Sequence, residues 1–225
     1  MFIDKSMTRE VIAINPDTSI AEASELLASH RIRHLPVADK DGILVGIVTD
    51  RDIRSAMPSS VATGEDAASE RKQVAQLKVK DIMTRKVVTV SPMNTLEDAL
   101  LLMQETRVGG FPVVDAHGKL IGIISIRDLM RAFINVLGIE EPGTLLCILV
   151  EDKIGQMKKI VDAITEERIS FGSILVARHW EEGKRAVFPY LLTSNVARVK
   201  AKLESLGFSL LNPMQWNLDQ LPQKQ

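Results

Sequence analysis

The sequence has little of three features that often identify a class of protein: cysteine, excess charge and long apolar runs. The single cysteine, Cys147, excludes an internal disulfide and a multi-cysteine metal site. A formal net charge of −1 argues against nucleic-acid binding through a strong basic field. No apolar run reaches the length of a membrane-spanning helix, and MFIDKSMTRE at the start has no apolar core of signal-peptide length. We therefore expect a cytoplasmic protein that binds neither membrane nor nucleic acid.

Catalytic and metal-binding arrangements are also missing. His34 has no second histidine or cysteine at ligand spacing, so we predict no metal site. No Ser/His/Asp or paired-carboxylate arrangement suggests an active site, so we predict no catalytic residues and no enzyme. What the chain does have is 45% hydrophobic residues over 225 positions, enough for one or two domains with buried cores.

An internal repeat dominates the N-terminal part of the chain. Residues 7–56 align with residues 83–132 at a constant offset of 76 and without a gap. The stretch GIVTDRDIRSA at 46–56 recurs as GIISIRDLMRA at 122–132. Divergence without insertions implies that both copies keep one backbone.

Each copy has the pattern of a β-α-β-β-α unit. A short β-rich piece stopped by Pro16 or Pro92 is followed by apolar residues at helical spacing. Two strands joined by a glycine-containing turn then lead into a second helix. The candidate caps of the first helix are Thr18 or Ser19 in one copy and Asn94 or Thr95 in the other. Neither copy buries much surface alone, so we expect the two to pack together.

The strand-to-helix junction of each copy places a hydroxyl and a carboxylate three residues apart, as Thr49 with Asp52 and Ser125 with Asp128. One interpretation is a capping box, in which the hydroxyl caps the helix and the acid bonds back to the cap N–H. The other is a ligand site, since a helix N-terminus favours an anion and a short carboxylate there can hold ribose hydroxyls. The spacing alone does not separate the two.

The repeated segments resemble cystathionine-β-synthase (CBS) domains, of which a tandem pair is called a Bateman module. The resemblance is carried by DIMTRKVVTVSP, RIRHLPVAD, GFPVVD, GIVTDRDI and GIISIRDL, and it covers nearly all of residues 1–137. The whole chain is similar to acetoin-utilisation proteins of the AcuB family. The resemblance implies two pseudo-symmetric units that bind AMP, ADP, ATP or S-adenosylmethionine in the clefts between them, with no obligatory cofactor. It also implies a regulatory role, a homodimer and a regulated partner that the sequence does not name.

By the same resemblance, the hydroxyl and carboxylate of each junction contact ribose or phosphate. The arginine between them is either a phosphate clamp or a solvated surface residue. The predicted ligand-binding residues are Arg33, His34, Pro36, Thr49, Arg51 and Asp52 in the first copy, and Thr89, Ser91, Pro92, Gly110, Phe111, Pro112, Ser125, Arg127 and Asp128 in the second. Gly109-Gly110 leaves room that Arg33-His34 fills. We therefore expect the second pocket to suit an adenine and the first to be crowded and cationic.

The C-terminal third has the order β-α-β-β-α-β, which is typical of a ferredoxin-like sheet with two helices on one face. This segment resembles an ACT domain, a small regulatory module that commonly binds amino acids. Asp152 and Gly155 match part of that family's Asp-x-Pro-Gly turn, with Ile154 in place of proline, and are its predicted ligand residues. Pro189 lies in a strand that should be central, which predicts either a bulge there or a strand that begins at Tyr190.

The predicted fold is thus a mixed α+β chain. Its predicted parts are CBS unit 1 (1–60), a linker (61–77), CBS unit 2 (78–137), a linker (138–143), an ACT-like domain (144–216) and a C-terminal tail (217–225). The favoured function is a non-enzymatic sensor of an adenosine-containing ligand. The alternatives are an amino-acid-responsive regulator of the ACT type and a ligand-free structural protein that dimerises.

Overall fold

The computed structural model describes residues 1–57 and 76–211, apart from the side chain of His179. The chain forms two compact units, Met1–Met130 and Arg131–Gln225. Most of the predicted linker at 61–77 and all of the predicted tail lie outside the described residues, and the predicted domain boundaries stay predictions. Within the described ranges, no helix is long and apolar enough to cross a membrane, and no three His, Cys, Asp or Glu side chains are grouped as a metal site requires.

The first unit holds both copies of the repeat, each built on an antiparallel hairpin. The first copy consists of a 3-10 turn (Ile3–Lys5), α1 (Ile20–Ser29), β1 (His34–Ala38), β2 (Leu44–Thr49) and α2 (Asp50–Ala56). The second copy consists of α3 (Val79–Ile82), α4 (Leu96–Thr106), β3 (Gly110–Val114), β4 (Leu120–Ser125) and α5 (Ile126–Leu137), whose last residues belong to the second unit. The predicted mixed α+β class is confirmed.

Side chains at the predicted caps start α1 and α4. Ser19 Oγ accepts a hydrogen bond from the Glu22 N–H at 3.2 Å, and Thr95 Oγ1 accepts one from the Asp98 N–H at 3.1 Å. Each bond satisfies an amide that the first helical turn leaves without a backbone partner. Of the two caps predicted for each helix, the one nearer the helix is used.

The predicted first strand of each copy is reduced to a single bridging residue. In the first copy the Ile14 N–H donates to the Pro36 carbonyl at 3.0 Å, and the Ala38 N–H donates to the Ile14 carbonyl at 2.9 Å. A longer parallel ladder would need an N–H from Pro36 on one side or from Pro16 on the other, and proline has none. Val90, Pro112 and Pro92 repeat the arrangement in the second copy.

The bridges between the copies show an approximate two-fold symmetry. They are Phe2–Thr95, Ser19–Lys78, Thr8–Ile123, Ile47–Thr84 and Ile43–Lys119. If 76 is added to the lower residue number of a bridge and subtracted from the higher one, the first bridge becomes the second and the third becomes the fourth. The same operation leaves Ile43–Lys119 unchanged, so a pseudo-two-fold axis passes by that bridge.

Each copy is therefore completed by the segment that begins the other copy. Met7 packs on Gly122 of the second copy, where an added Cβ would lie 2.6 Å from the methionine sulfur. Met83 packs in the same way on Gly46 of the first copy, with a distance of 2.5 Å, and joins the hydrophobic core of that copy. These close approaches explain why both positions are glycine.

The second unit contains a sheet with two helices on one face. Its elements are β5 (Thr144–Leu145), β6 (Cys147–Glu151), α6 (Gln156–Glu166), β7 (Phe171–Glu181), β8 (Lys184–Leu191), α7 (Ala197–Ser205) and β9 (Ser209–Leu211). The order across the sheet is β9-β6-β8-β7, and β5 lies beside β8 ahead of β6. Ile160, Ile164, Val199 and Leu203 of the helices pack on the sheet in one core. This strand order is that of the predicted ferredoxin-like sheet.

Pro189 is the reason that β5 and β6 are separate strands. Thr144 pairs with Leu191 and Ile148 pairs with Val187, so the register against β8 does not shift between them. Between these pairs the Leu146 N–H donates to the Pro189 carbonyl at 3.0 Å, but proline has no N–H to return the bond. The prediction of a bulge at Pro189, or of a strand that begins at Tyr190, is wrong, because β8 runs through the proline in constant register against β5 and β6. The register shift against β7 lies between Phe171 and Ser173, opposite Leu191 and Tyr190 and not at the proline.

Candidate functional site

The first junction forms the capping box that its spacing predicted. Asp52 Oδ2 accepts hydrogen bonds from the Thr49 N–H at 2.8 Å and from the Thr49 hydroxyl at 2.7 Å. The Asp52 N–H donates in turn to Thr49 Oγ1 at 3.3 Å. The cap therefore uses one carboxylate oxygen, and the described structure shows no hydrogen bond to the other. Capping and ligand contact are compatible at this residue.

In the second junction the same two bonds to the carboxylate form in a more buried setting. Asp128 Oδ2 accepts from the Ser125 N–H at 2.9 Å and from the Ser125 hydroxyl at 2.6 Å. Asp128 is only 8% exposed, whereas Asp52 is partly exposed. The two bonds from Ser125 give this buried carboxylate polar partners in place of the water it has lost.

The amides at the helix starts are largely occupied within the fold. The Asp50 N–H donates to the Arg33 carbonyl at 3.1 Å, and the Ile126 N–H donates to the Gly109 carbonyl at 3.0 Å. In the first copy the Asp52 amide is also taken by the cap. Few amides are therefore left for an anion, and side chains carry most of the potential for ligand contact.

His34 and Gly110 meet where the two junctions come together. His34 is paired with Thr49 in the first hairpin, and Gly110 is paired with Ser125 in the second. The imidazole of His34 lies against Gly110, such that a Cβ on this glycine would be 3.4 Å from ring atoms Cε1 and Nδ1. Equivalent positions of the two copies thus touch, and the room left by Gly109-Gly110 is lined by the His34 ring.

The charge of the first junction comes mainly from arginine. Burial lowers the pKa of His34 below its ordinary value of 6.5, the charge of Arg33 lowers it further, and the carboxylate of Asp52 opposes both. A lowered pKa keeps the imidazole neutral near neutral pH. The side chains of Arg33 and Arg51 are exposed and carry the positive charge there.

Arg127 connects the second junction to the first copy. Its Nη1 donates to the carbonyl of Arg31 over a long distance of 3.5 Å. Arg31 follows the end of α1 with a left-handed φ of 53°, and Arg107 does the same after α4 with 57°. The contact shows that a side chain from the start of α5 reaches across the boundary between copies.

The other predicted residues divide into turn and core positions. Ser91 Oγ accepts from the Met93 N–H at 3.2 Å, and Asn94 Oδ1 accepts from the Ser91 N–H at 2.8 Å, so Ser91 shapes the turn into α4. Thr89 is partly exposed, and the carbonyl of Pro92 accepts from the Asp4 N–H. The side chains buried in the core are Pro36, Phe111 and Pro112. In this arrangement a ligand can meet these three only through their backbone.

Met7 and Met83 were not predicted as part of the region, although they hold the copies together. A signal was present in the sequence, because Met7-Thr8-Arg9 and Met83-Thr84-Arg85 recur at the same offset as the junctions. The repeat alone does not show that each triplet packs on the opposite copy.

The predicted ACT ligand residues lie at one end of the second sheet. Asp152 borders a cavity of about 390 Å³ together with Arg178, Trp180 and the β7–β8 turn. Its Oδ1 is 2.5 Å from Nη2 of Arg185, an exposed ion pair of the kind that contributes little to stability. Gly155 precedes α6 with a φ of 91°, and no atom lies within 4 Å of a Cβ built there. Space is therefore available beside both residues.

Comparison with known proteins identifies the repeated half of the chain. The family model described as CBS domain matches residues 3–59 and 79–135. A CBS domain-containing protein of Dictyostelium discoideum is 36% identical over 137 residues, which are 61% of this chain and 94% of that protein. The match to the family model ends before the sheet of the second unit, so the ACT resemblance stays a prediction.

Two solved structures resemble the same part of the chain. CBSX2 of Arabidopsis thaliana in complex with AMP is 33% identical, with a TM-score of 0.50, and the match covers 59% of this chain and 96% of that one. A putative acetoin utilization protein (AcuB) from Vibrio cholerae is 28% identical, with a TM-score of 0.52, and covers 63% of this chain and 98% of that one. Since the two family matches coincide with the two structural copies and span half of the sequence, the chain belongs to the CBS domain family and carries a tandem pair of these domains.

Proposed function

We propose that this chain is a non-enzymatic regulatory protein that binds an adenosine-containing ligand, an adenine nucleotide or S-adenosylmethionine, in its CBS pair. The observation that carries the proposal is the meeting of the two junctions: His34, paired with Thr49, touches Gly110, paired with Ser125. Two hydroxyl–carboxylate pairs are thereby brought to one boundary between the copies. The AMP complex of CBSX2, a protein of similar fold and 33% identity, supports the choice of ligand class.

Each group at the boundary has a defined part in this proposal. The second oxygen of Asp52 and the carboxylate of Asp128 accept bonds from ribose hydroxyls. The guanidinium groups of Arg51 and Arg127 hold phosphate, which suits their planar donor geometry. The glycines at 109 and 110 add no side chain to the second pocket, so an adenine can lie beside the His34 ring that borders them. The arginine-rich first pocket is crowded and cationic.

The regulatory part of the proposal rests on how the copies hold each other. Because each copy is completed by the leading segment of the other, a ligand that contacts both copies stabilises one relative arrangement over others.

Thermal unfolding with AMP, ADP, ATP, S-adenosylmethionine and NADH tests the proposal. At about 100 times Kd, one occupied site adds roughly 2.7 kcal/mol to the free energy of unfolding. For a chain of this size we expect a rise in Tm on the order of 5–10 °C. No response to any adenosine compound would overturn the ligand assignment and would favour a ligand-free structural role.

A matched set of variants separates ligand contact from helix capping. Asp52→Ala and Asp128→Ala each remove a capping carboxylate, and so does Asp98→Ala, whose Oδ2 accepts from the Thr95 N–H at 2.8 Å away from the junctions. Each should cost about 1 kcal/mol of stability through the lost cap. Combining Asp52→Ala with Asp128→Ala should abolish the Tm response to ligand, whereas Asp98→Ala should retain it. A response that survives the double variant would show that these carboxylates do not bind the ligand.

A second proposal concerns the sheet of the second unit, which we assign to the ACT type of amino-acid-responsive regulator. The strand order β9-β6-β8-β7 and the cavity beside Asp152 support it. The test is thermal unfolding with a panel of amino acids, followed by Asp152→Ala for any compound that raises Tm. A response to amino acids alone would favour this function over the first. Both resemblances also support a homodimer.

A further inference from the structure

Both helices that pack on the sheet of the second unit, α6 and α7, lie on the same face of it. Their side chains form one core with Ile148, Val150 and Val187 of the sheet. Side chains alternate along a strand, so the residues between these point to the opposite face, here called the open sheet face. Its central members, identified by their cross-strand pairing, are Cys147, Leu149, Leu175, Ala186, Phe188 and Leu211.

The open sheet face is apolar but only partly buried. Leu175 is 47% exposed, whereas Ile148 and Val187 on the helix-covered face are 0% and 2% exposed. Trp180 stands edge-on to Phe188, with 5.5 Å between the ring centroids, and is also 47% exposed. The other large side chains of this face are partly exposed, namely Leu149, Phe188 and Leu211. Apolar side chains grouped in this way usually mark a binding surface.

The two ends of the open sheet face differ from its middle. At one end the charged residues Glu151 and Lys184 are opposite each other on β6 and β8. At the other end the Tyr190 hydroxyl donates to the Glu141 carbonyl at 2.6 Å, so the segment that leads into β5 reaches this end. The surface that calls for an occupant is therefore the apolar middle.

The C-terminal segment, residues 212–225, begins at the edge of this face. The segment itself lies outside the described residues. It follows Leu211, the last residue of β9, which is opposite Cys147 and so belongs to the open sheet face. Its first two residues, Asn212-Pro213, are a dipeptide typical of turns. A turn at this point can direct the following residues across the strands.

The sequence after this turn alternates in polarity. Met214, Trp216 and Leu218 are separated by Gln215 and Asn217. An extended chain turns every second side chain to the same side, so the three apolar side chains share one side. Five extended residues cover about 16 Å, and the four strands of the sheet are spread over about 14 Å. The stretch thus has the pattern and the length to lie across the open sheet face.

We propose that the C-terminal segment folds back over the open sheet face of its own chain, with Met214, Trp216 and Leu218 turned toward the sheet. The segment then covers the apolar side chains that the helices leave exposed. Its charged side chains, Asp219 and Lys224, come after the alternating stretch and stay in solvent. The inference does not depend on which ligand the CBS pair or the ACT-like sheet binds.

Alkylation of Cys147, the single cysteine of the chain, tests the cover. Burial raises the pKa of this thiol, which slows its alkylation. A shortened chain that ends at Leu211 lacks the proposed cover. We expect iodoacetamide to modify Cys147 in the folded shortened chain about 10-fold faster than in the full chain, which corresponds to about 1.4 kcal/mol of docking free energy.

Full-length variants separate the apolar side of the segment from the presence of the segment. Met214→Ser with Trp216→Ser removes apolar side chains, and Gln215→Ala with Asn217→Ala is the matched control on the polar side. The first pair should raise the alkylation rate as the shortened chain does, and the control should leave it unchanged. Equal rates in all four proteins would refute the proposal. A rise in the shortened chain or the control that the first pair does not share would refute it as well.

The remaining outcomes assign the face to another occupant, against the proposal. Protection of Cys147 that depends on protein concentration would place a second copy on the face. Protection that persists in the shortened chain at every concentration would place another segment of the same chain there. If the shortened chain fails to fold by circular dichroism, the pair Met214→Ser with Trp216→Ser provides the same measurement.

Fluorescence of Trp216 provides a second measurement that does not use the thiol. Trp180→Phe leaves Trp216 as the single tryptophan of the chain. A docked indole should emit at a shorter wavelength than the same residue in a free peptide of residues 212–225. Emission equal to that of the free peptide would refute the docking of Trp216 on the sheet.

Discussion

At the scale of single residues, the repeat contains a pair of positions whose side chains depend on each other. His34 and Gly110 are equivalent in the two copies, and the imidazole of one occupies the space above the other. A second histidine at position 110 would collide with the first, and a second glycine at position 34 would leave the boundary open. The asymmetry of the two junctions is therefore built into one contact at the boundary between the copies.

We predict that Gly110→Ala lowers the free energy of unfolding by about 1–2 kcal/mol, the usual cost of overpacking. The new Cβ would lie 3.2 Å from the Ile124 carbonyl and 3.4 Å from the His34 ring. In a His34→Gly background only the first of these contacts remains, so the loss should be smaller. Gly109→Ala is the control, since its Cβ would lie at an ordinary 3.6 Å from the ring. Equal losses in both backgrounds, measured by urea unfolding, would show that the ring does not limit the space.

Contacts between neighbours along the chain could be predicted from the sequence, whereas contacts between the two copies could not. The capping box at Thr49 and the bonds from Ser125 to Asp128 join neighbours along the chain, so the spacing allowed a capping box to be predicted as one of two interpretations. The contact between His34 and Gly110 joins residues 76 positions apart and exists only after the copies pack. The burial of Phe111 has the same origin: its apolar character was visible, but its depth in the core was not.

At the scale of elements, proline decides where strands are interrupted. Pro16 and Pro36 limit the first strand of one copy to a single bridging residue. Pro189 separates β5 from β6 without shifting their register against β8. The positions of these prolines were plain in the sequence, but the side of the strand on which each missing N–H falls depends on pairing. For that reason the expected bulge at Pro189 was wrong.

We predict that Pro189→Val joins β5 and β6 into one continuous strand. The new amide can donate to the Leu146 carbonyl, a bond worth about 1 kcal/mol, while the loss of proline gives the unfolded chain a similar amount of entropy. Stability should therefore change by less than about 1 kcal/mol. Hydrogen exchange at residue 189 should nevertheless be slow. Pro142→Val is the control, because residue 142 is exposed outside any strand and its amide should exchange fast. Fast exchange at both positions would contradict the explanation.

In the CBS pair as a whole, the segment that begins each copy packs on the other copy. Each copy therefore depends on the other for part of its core. Met7 is buried against Gly122 of the second copy, and Met83 is buried against Gly46 of the first. A core methionine truncated to alanine costs about 2–5 kcal/mol. The copies should therefore not be separable without loss of part of each core.

We predict that Met7→Ala speeds hydrogen exchange in β3 and β4, and that Met83→Ala does so in β1 and β2. Each variant thus loosens the copy to which the methionine does not belong by sequence. The two variants serve as controls for each other, because the change and its surroundings are equivalent under the 76-residue offset. Faster hydrogen exchange in the copy that contains the substituted methionine would contradict the packing of each leading segment on the opposite copy.

The crossed bridges have a consequence for how such a chain can arise. A half-length ancestor with one copy of the repeat and its leading segment would contain the equivalents of both residues in every bridge that now joins the copies. Two such molecules would pair symmetrically, each packing its leading segment on the other. The present Ile43–Lys119 bridge would then join one residue to its symmetry equivalent in the partner molecule. Gene duplication and fusion would then preserve the assembly at once. It would also free the two halves to diverge, one toward histidine at position 34, the other toward glycine at position 110.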